Sequence, residues 1–202
     1  GLFPALKNGN YGFVNGEGKW IIQPTYQEVG TFSEKIGSYR IGTTWGTISP
    51  DGKILAEAKW EKINHFSGGL AIAESAGKNY LIYPSGELAF PEGLDQISKL
   101  KEGFYLVENN SKTGLLNSLG KPILPISFDQ VQVEQKDFFI VAKDVLSGIM
   151  RANGDVFLPL QYAQITIDWI EQKVFAKGQE QQVVEKSDVR PATATQQKRK
   201  KG

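Results

Sequence analysis

Leu70-Ala71-Ile72-Ala73-Glu74, Ser75-Ala76-Gly77-Lys78, Asn79-Tyr80-Leu81-Ile82-Tyr83, Pro84-Ser85-Gly86-Glu87, Leu88-Ala89-Phe90 and then Pro91: this stretch decides the fold. Its apolar runs are short, and Gly, Pro and Ser close each of them. Runs of that length, bounded by turn residues, read as strands of an antiparallel meander. An amphipathic helix needs a longer stretch free of such breakers. The segment from Leu94 to Leu100 supplies a fourth strand.

The layout recurs on both sides with a step of 34 residues and no insertion or deletion. Gly86 stands in one column with Gly18, Gly52, Gly120 and Gly154. A second column holds Tyr26, Trp60, Leu94, Phe128 and Tyr162, and a third Val29, Ile63, Ile97, Val131 and Ile165. Leu2, Ile36, Leu70, Phe104 and Phe138 open the copies, at about 2–35, 36–69, 70–103, 104–137 and 138–168. The sequence therefore predicts an all-β protein of five 34-residue antiparallel β-meander repeats, with a capping strand at 169–177 and residues 1–177 as one domain. A single repeat cannot bury its own apolar face, so neighbours must pack on one another. A propeller-like ring or arc is the preferred arrangement, because closure protects sheet edges. An open curved array of hairpins is the alternative.

The five glycines sit at hairpin tips, as in Pro50-Asp51-Gly52-Lys53 and Asn153-Gly154-Asp155. Positive φ there costs glycine nothing and other residues roughly 1–2 kcal/mol. A phosphate-cradling loop would need a following helix N-terminus, whereas a strand follows each tip.

Before the second strand comes an aromatic-Gly step, Tyr11-Gly12 and Trp45-Gly46 in copies 1 and 2. Copies 4 and 5 keep only Gly114 and Gly148, and copy 3 has Asn79-Tyr80. With Gly12-Phe13-Val14-Asn15-Gly16-Glu17-Gly18-Lys19, Ile21-Ile22-Gln23-Pro24-Thr25-Tyr26 and Phe32-Ser33-Glu34, the chain resembles the bacterial WG-repeat family. The resemblance spans residues 2 to about 168, is close in copies 1 and 2, and fades where the Phe-Ser-Glu element is lost. It implies an all-β repeat assembly, often in exported or surface-associated bacterial proteins, with no common catalytic activity. No catalytic residue transfers with it.

Composition sets further bounds. Hydrophobic residues make up 40% and charged residues 22% of the 202, ordinary for a globular chain. No run approaches the ~18 apolar residues of a membrane span. The net charge of +1 lacks the field of a dedicated nucleic-acid binder. Cysteine is absent, which excludes disulfides and thiolate metal sites. The chain begins at Gly1 rather than Met, which fits a processed exported protein, so the expected location is extracytoplasmic, in the periplasm or at the cell surface. Residues 178–202 offer little to bury and read as a disordered tail ending in Lys198-Arg199-Lys200-Lys201. Four basic residues give only a weak, salt-sensitive contact, so nucleic acid is not an expected partner.

Chemistry is sparsely supplied. His65 is the only histidine, in a variable column with Thr31, Lys99, Val133 and Ile167. A lone histidine without cysteine makes no zinc site, and no nucleophile elbow accompanies it. Glu57, Glu61, Glu74, Asp95, Asp129 and Asp168 read as exposed hairpin carboxylates rather than a glycosidase pair. No catalytic residue, metal site or cofactor is expected. Trp20, in a column with Ile54, Leu88, Pro122 and Val156, reads as buried. Trp45, Tyr105, Tyr39, Tyr83 and Trp169 recur less strictly and are the candidates for an exposed binding patch, since aromatics dominate interface hot spots. The expected function is a non-enzymatic protein-interaction scaffold or accessory subunit with another protein as partner. A surface carbohydrate-binding module is the alternative, and it requires aromatics lining one groove beside amides or carboxylates. An enzyme is a third and disfavoured reading.

Overall fold

The computed structural model describes residues 1–101, 103–135 and 137–178, and the backbone of 183–187. Every regular element among them is a strand, and every strand pairing is antiparallel. Sheet 1 holds β1 (Phe3–Lys7), β2 (Asn10–Val14) and β3 (Trp20–Tyr26). Sheet 2 holds β4 (Glu28–Ser33), β5 (Ile36–Ile41), β6 (Thr44–Ile48) and β7 (Ile54–Trp60). Sheet 3 holds β8 (Lys62–Ile63), β9 (Ala71–Ser75) and β10 (Lys78–Ile82). Sheet 4 holds β11 (Gln96–Lys99), β12 (Tyr105–Asn109), β13 (Lys112–Leu116) and β14 (Pro122–Phe128). Sheet 5 holds β15 (Gln130–Gln135), β16 (Phe138–Lys143), β17 (Leu146–Arg151) and β18 (Val156–Tyr162). Sheet 6 holds β19 (Gln164–Asp168), β20 (Lys173–Lys177) and β21 (Val183–Ser187).

The five copies are distributed over six sheets because the sheet boundary falls inside the copy. The strand that ends one copy hydrogen-bonds to the first strand of the next: β11 pairs with β12, in register Gln96↔Glu108 to Lys99↔Tyr105. Residues 169–177, expected as a capping strand, contribute β20, the middle strand of sheet 6. The tail departs from the expectation of disorder at Val183–Ser187, which pairs with β20 as β21. An open edge of β20 would leave backbone donors and acceptors unpaired, and the β-branched pair Val183-Val184 suits a strand there. The basic cluster Lys198, Arg199, Lys200 and Lys201 lies outside the described residues.

Each pair of consecutive sheets encloses its own core, as the blades of a propeller do. Phe13, Ile22, Tyr39 and Ile48 lie between sheets 1 and 2; Trp60, Phe66, Ala73 and Ile82 lie between sheets 2 and 3. Leu81, Leu94, Tyr105 and Val107 join sheets 3 and 4, and Leu115, Phe128, Phe139 and Val141 join sheets 4 and 5. Phe138, Ile149, Tyr162, Val174 and Ala176 join sheets 5 and 6. Side chains alternate across a strand, so Phe138 and Phe139 point to opposite faces and serve different cores. Burial on both faces is why the middle strands read as unbroken apolar runs such as Phe138-Phe139-Ile140-Val141-Ala142.

The turn column has the geometry its glycines suggest. Gly18, Gly52, Gly86, Gly120 and Gly154 have φ of 77°, 88°, 78°, 76° and 89°. Each donates its N–H to the carbonyl three residues back, at 2.9–3.0 Å. Trp60, Leu94, Phe128 and Tyr162 are buried, and Tyr26 is half-buried against Tyr39, with ring centroids 4.8 Å apart. The column of Trp20 differs from expectation. Trp20 and Ile54 are half-buried, Ile54 against the core between sheets 1 and 2, whereas Leu88 and Val156 are 41% and 62% exposed and Pro122 is exposed too, so the column holds no common core position.

The glycine of the aromatic-Gly step answers a different demand, a close approach of backbone. A β-carbon on Gly12, Gly46 or Gly148 would lie 2.4, 2.6 or 2.7 Å from the carbonyl oxygen of Ile22, Ala56 or Leu158. The register between the second and third strands of the copy (β2 and β3, β6 and β7, β17 and β18) shifts at this point in each of those copies. Copy 3 has Tyr80 in that column, and its third strand is reduced to the isolated bridges Asn79↔Leu94 and Ile82↔Leu88. Gly93 accommodates the displaced ring: a β-carbon there would lie 2.8 Å from the Tyr80 phenol.

Candidate functional site

The motif's polar side chains are spent on holding repeats together. The Ser33 hydroxyl donates to the carbonyl of Phe66 at 2.7 Å, and the Glu34 carboxylate accepts from the N–H groups of Gly68 and Gly69 at 2.7 and 2.8 Å. These bonds clip the turn after β4 to its counterpart one repeat later. They also hold the Glu34 carboxyl below its ordinary pKa, first through Gly69 and then Gly68. Between sheets 3 and 4 the clip changes chemistry: the Lys99 ammonium donates to the Ser67 carbonyl and hydroxyl at 2.6 and 2.9 Å.

The carboxylates are also engaged. Glu61, Asp95 and Asp129 accept the N–H of Ala76, Asn110 and Asp144 at 3.0, 2.7 and 2.7 Å. Those three residues have φ of 51° each, so the carboxylates cap left-handed hairpin turns. Lys78 and Lys112 ion-pair with Asp95 and Asp129, and this pairing is the first cause of their depressed pKa, the turn N–H the second. His65 shares a hydrogen bond with the Thr31 hydroxyl at 3.0 Å and lines a cleft of about 120 Å³ with Trp45. Among the described residues, no group of His, Cys, Asp and Glu is placed to hold a metal ion.

The five candidate aromatics do not meet. Tyr39 is 0% exposed and donates its hydroxyl to the Ala56 carbonyl at 3.2 Å; Tyr105 is 2% exposed in the core between sheets 3 and 4. Both are corrected from binding candidates to core residues, because their strand positions face a neighbouring sheet, and burial pushes both phenols above the ordinary tyrosine range. Tyr83 is half-buried against that same core, and its carbonyl closes the Gly86 turn. Trp45 is half-buried opposite Trp60, with the Arg40 guanidinium 6.0 Å from its ring. Trp169 is half-buried beside Phe138, ring centroids 5.6 Å apart, and its indole N–H donates to Glu134 at 3.4 Å.

A groove of about 440 Å³ opens between sheets 5 and 6. Gln130, Gln132 and Glu134 of β15 form one wall, and Ile140, Ala142 and Ser147 lie behind them. The other wall is Ala163 to Ile167, five consecutive residues of β19 and its approach. It opens where the Phe-Ser-Glu element has vanished, near Gln135 and Asp168, with the Trp169–Glu134 hydrogen bond across the end of the two strands. The readable signal is the alternation Gln130-Val131-Gln132-Val133-Glu134, in which Glu134 stands in the column that holds Phe32, Phe66 and Leu100 in the earlier copies.

Comparison with known proteins places the repeats. Residues 11–42 and 45–78 match the model of the WG containing repeat, the part of the chain where the pattern is closest. No curated protein matches the chain by sequence. Among solved structures it is similar to a eukaryotic initiation factor, at 12% identity and TM-score 0.43, covering 91% of this chain and 59% of that one. It is also similar to Kluyveromyces lactis Hsv2, at 10% identity and TM-score 0.37 over 89% of this chain and 68% of that one. The WD40 β-propeller domain of Doa1 matches at 13% identity and TM-score 0.33, over 90% and 77%. Scores this low carry nothing about ligands or partners.

Proposed function

We propose that the protein is a non-enzymatic interaction scaffold, an accessory subunit of a bacterial extracytoplasmic assembly, that presents the face around β15 and β19 to another protein. The observation that carries this reading is how its polar groups are used. Glu34, Glu61, Asp95, Asp129 and His65 are bonded to turns or neighbouring repeats, whereas the groove between sheets 5 and 6 is lined by amides, hydroxyls and aliphatic side chains, with Glu134 its one charged group. A lining of that kind suits recognition better than proton transfer, which calls for a group with a tuned pKa. Repeat proteins supply extended surfaces of this sort. The extracytoplasmic placement rests on the family resemblance alone.

A partner captured from the native organism and then purified provides the test. The His65→Ala and Glu61→Ala variants are expected to bind it within about tenfold of the parent chain, an energetic change below ~1.4 kcal/mol. Loss of a measurable turnover in His65→Ala, with the fold intact, would overturn the scaffold reading.

A further inference from the structure

Three features of the groove point to one ligand class. Side chains alternate along a strand, so a wall of five consecutive residues, Ala163 to Ile167, exposes main chain as well as side chains. β19 pairs with β20 alone among the described strands, which leaves its other edge with unmatched N–H and C=O groups. Opposite stands a row at i, i+2 and i+4, Gln130, Gln132 and Glu134; the Gln132 amide nitrogen donates to the Glu134 carboxylate, which leaves the Gln132 amide oxygen as an acceptor beside the Gln130 amide, which both donates and accepts.

A sugar site would need an aromatic platform. None lines the groove, and the nearest indole, Trp169, is half-buried with its N–H on Glu134. We propose that the groove takes an extended peptide segment, which adds as a strand to the free edge of β19 while the amides of Gln130 and Gln132 bond its other side. The row from Gln130 to Glu134 spans about 13 Å at ~3.3 Å per residue, enough for four or five peptide residues. Glu134 is the only charged residue of the lining, so a Lys or Arg at that end of the peptide is preferred. The proposal rests on the scaffold reading and names the partner's chemistry: an exposed, extended stretch of another protein.

The probe is a heptapeptide phage library selected on the full chain, with the recovered peptides synthesised and titrated. The double variant Gln130→Ala/Gln132→Ala is expected to weaken them at least tenfold without moving the urea midpoint. The control Gln27→Ala, exposed and outside the groove lining, leaves affinity unchanged. Backbone N-methylation of the peptide should weaken binding at least tenfold, and bound peptide should slow hydrogen exchange of the β19 amides. Peptides that bind equally well to the double variant, or a library that yields none, overturn the groove assignment while leaving the scaffold reading standing. Groove-dependent binding of chitohexaose or cellohexaose in place of peptides overturns it in favour of a sugar site. Cleavage of a selected peptide would overturn the scaffold reading itself.

Discussion

Replacing Tyr39 with alanine should destabilise the protein by about 3–5 kcal/mol, the range for deleting a large buried aromatic. The ring is 0% exposed between sheets 1 and 2, packs on Tyr26 at 4.8 Å and bonds the Ala56 carbonyl. A repeat array is held together by interfaces between neighbours, so the loss is local: sheet 1 should detach at lower urea than the remainder. Hydrogen exchange followed by mass spectrometry checks this, with protection lost first in β1 to β3. Tyr39→Phe keeps the packing and gives up one hydrogen bond, for about 1 kcal/mol. If Tyr39→Ala unfolds at the same denaturant concentration as the parent chain, the assignment of this residue to a core fails.

The second large effect is expected at Gly46. Its conformation suits any residue, so space alone sets the cost. A β-carbon there would lie 2.6 Å from the Ala56 carbonyl oxygen and 2.7 Å from the Tyr39 ring, and neither can yield. One is backbone in a paired strand, and the other is the same buried ring. Gly46→Ala should destabilise by about 2–3 kcal/mol, as overpacking of a tight core does. Gly42→Ala is a control for conformation: it has φ of 61° and nothing within 4 Å, so it should cost about 1 kcal/mol. Equal urea midpoints for the two variants would remove the close-approach explanation of the aromatic-Gly step.

The period carried most of the architecture. Strand content, turn positions and the buried column of Trp60, Leu94 and Phe128 follow from residues that recur, because each recurrence reports the same local geometry. Tyr39 and Tyr105 turned out buried where the inference ran the other way, from variation to exposure. Tyr39 shares its column with Ala73, Val107 and Val141, each of them fully buried. What a blade interface conserves is filled volume, not the residue that fills it. Where the column offers only Ala73, Tyr80 packs on Trp60 from another position, with ring centroids 5.3 Å apart. The sheet boundary was equally hidden, since periodicity sets the length of a repeat and leaves its phase open. The groove could be read only as alternating polarity at Gln130, Gln132 and Glu134. That such a face meets an open strand edge depends on how two sheets pack.

Polar residues of the protein divide into those that hold the repeats and those that meet a partner. The direct measurement sets two variants against two readouts, urea midpoint and affinity for a groove-selected peptide. Glu34→Ala removes a clip on the Gly68 and Gly69 N–H groups and should lower the midpoint while leaving affinity unchanged. Gln130→Ala/Gln132→Ala should lower affinity at least tenfold and leave the midpoint unchanged. The opposite pattern, with peptide binding lost at Glu34 and retained without the two glutamines, would contradict that division.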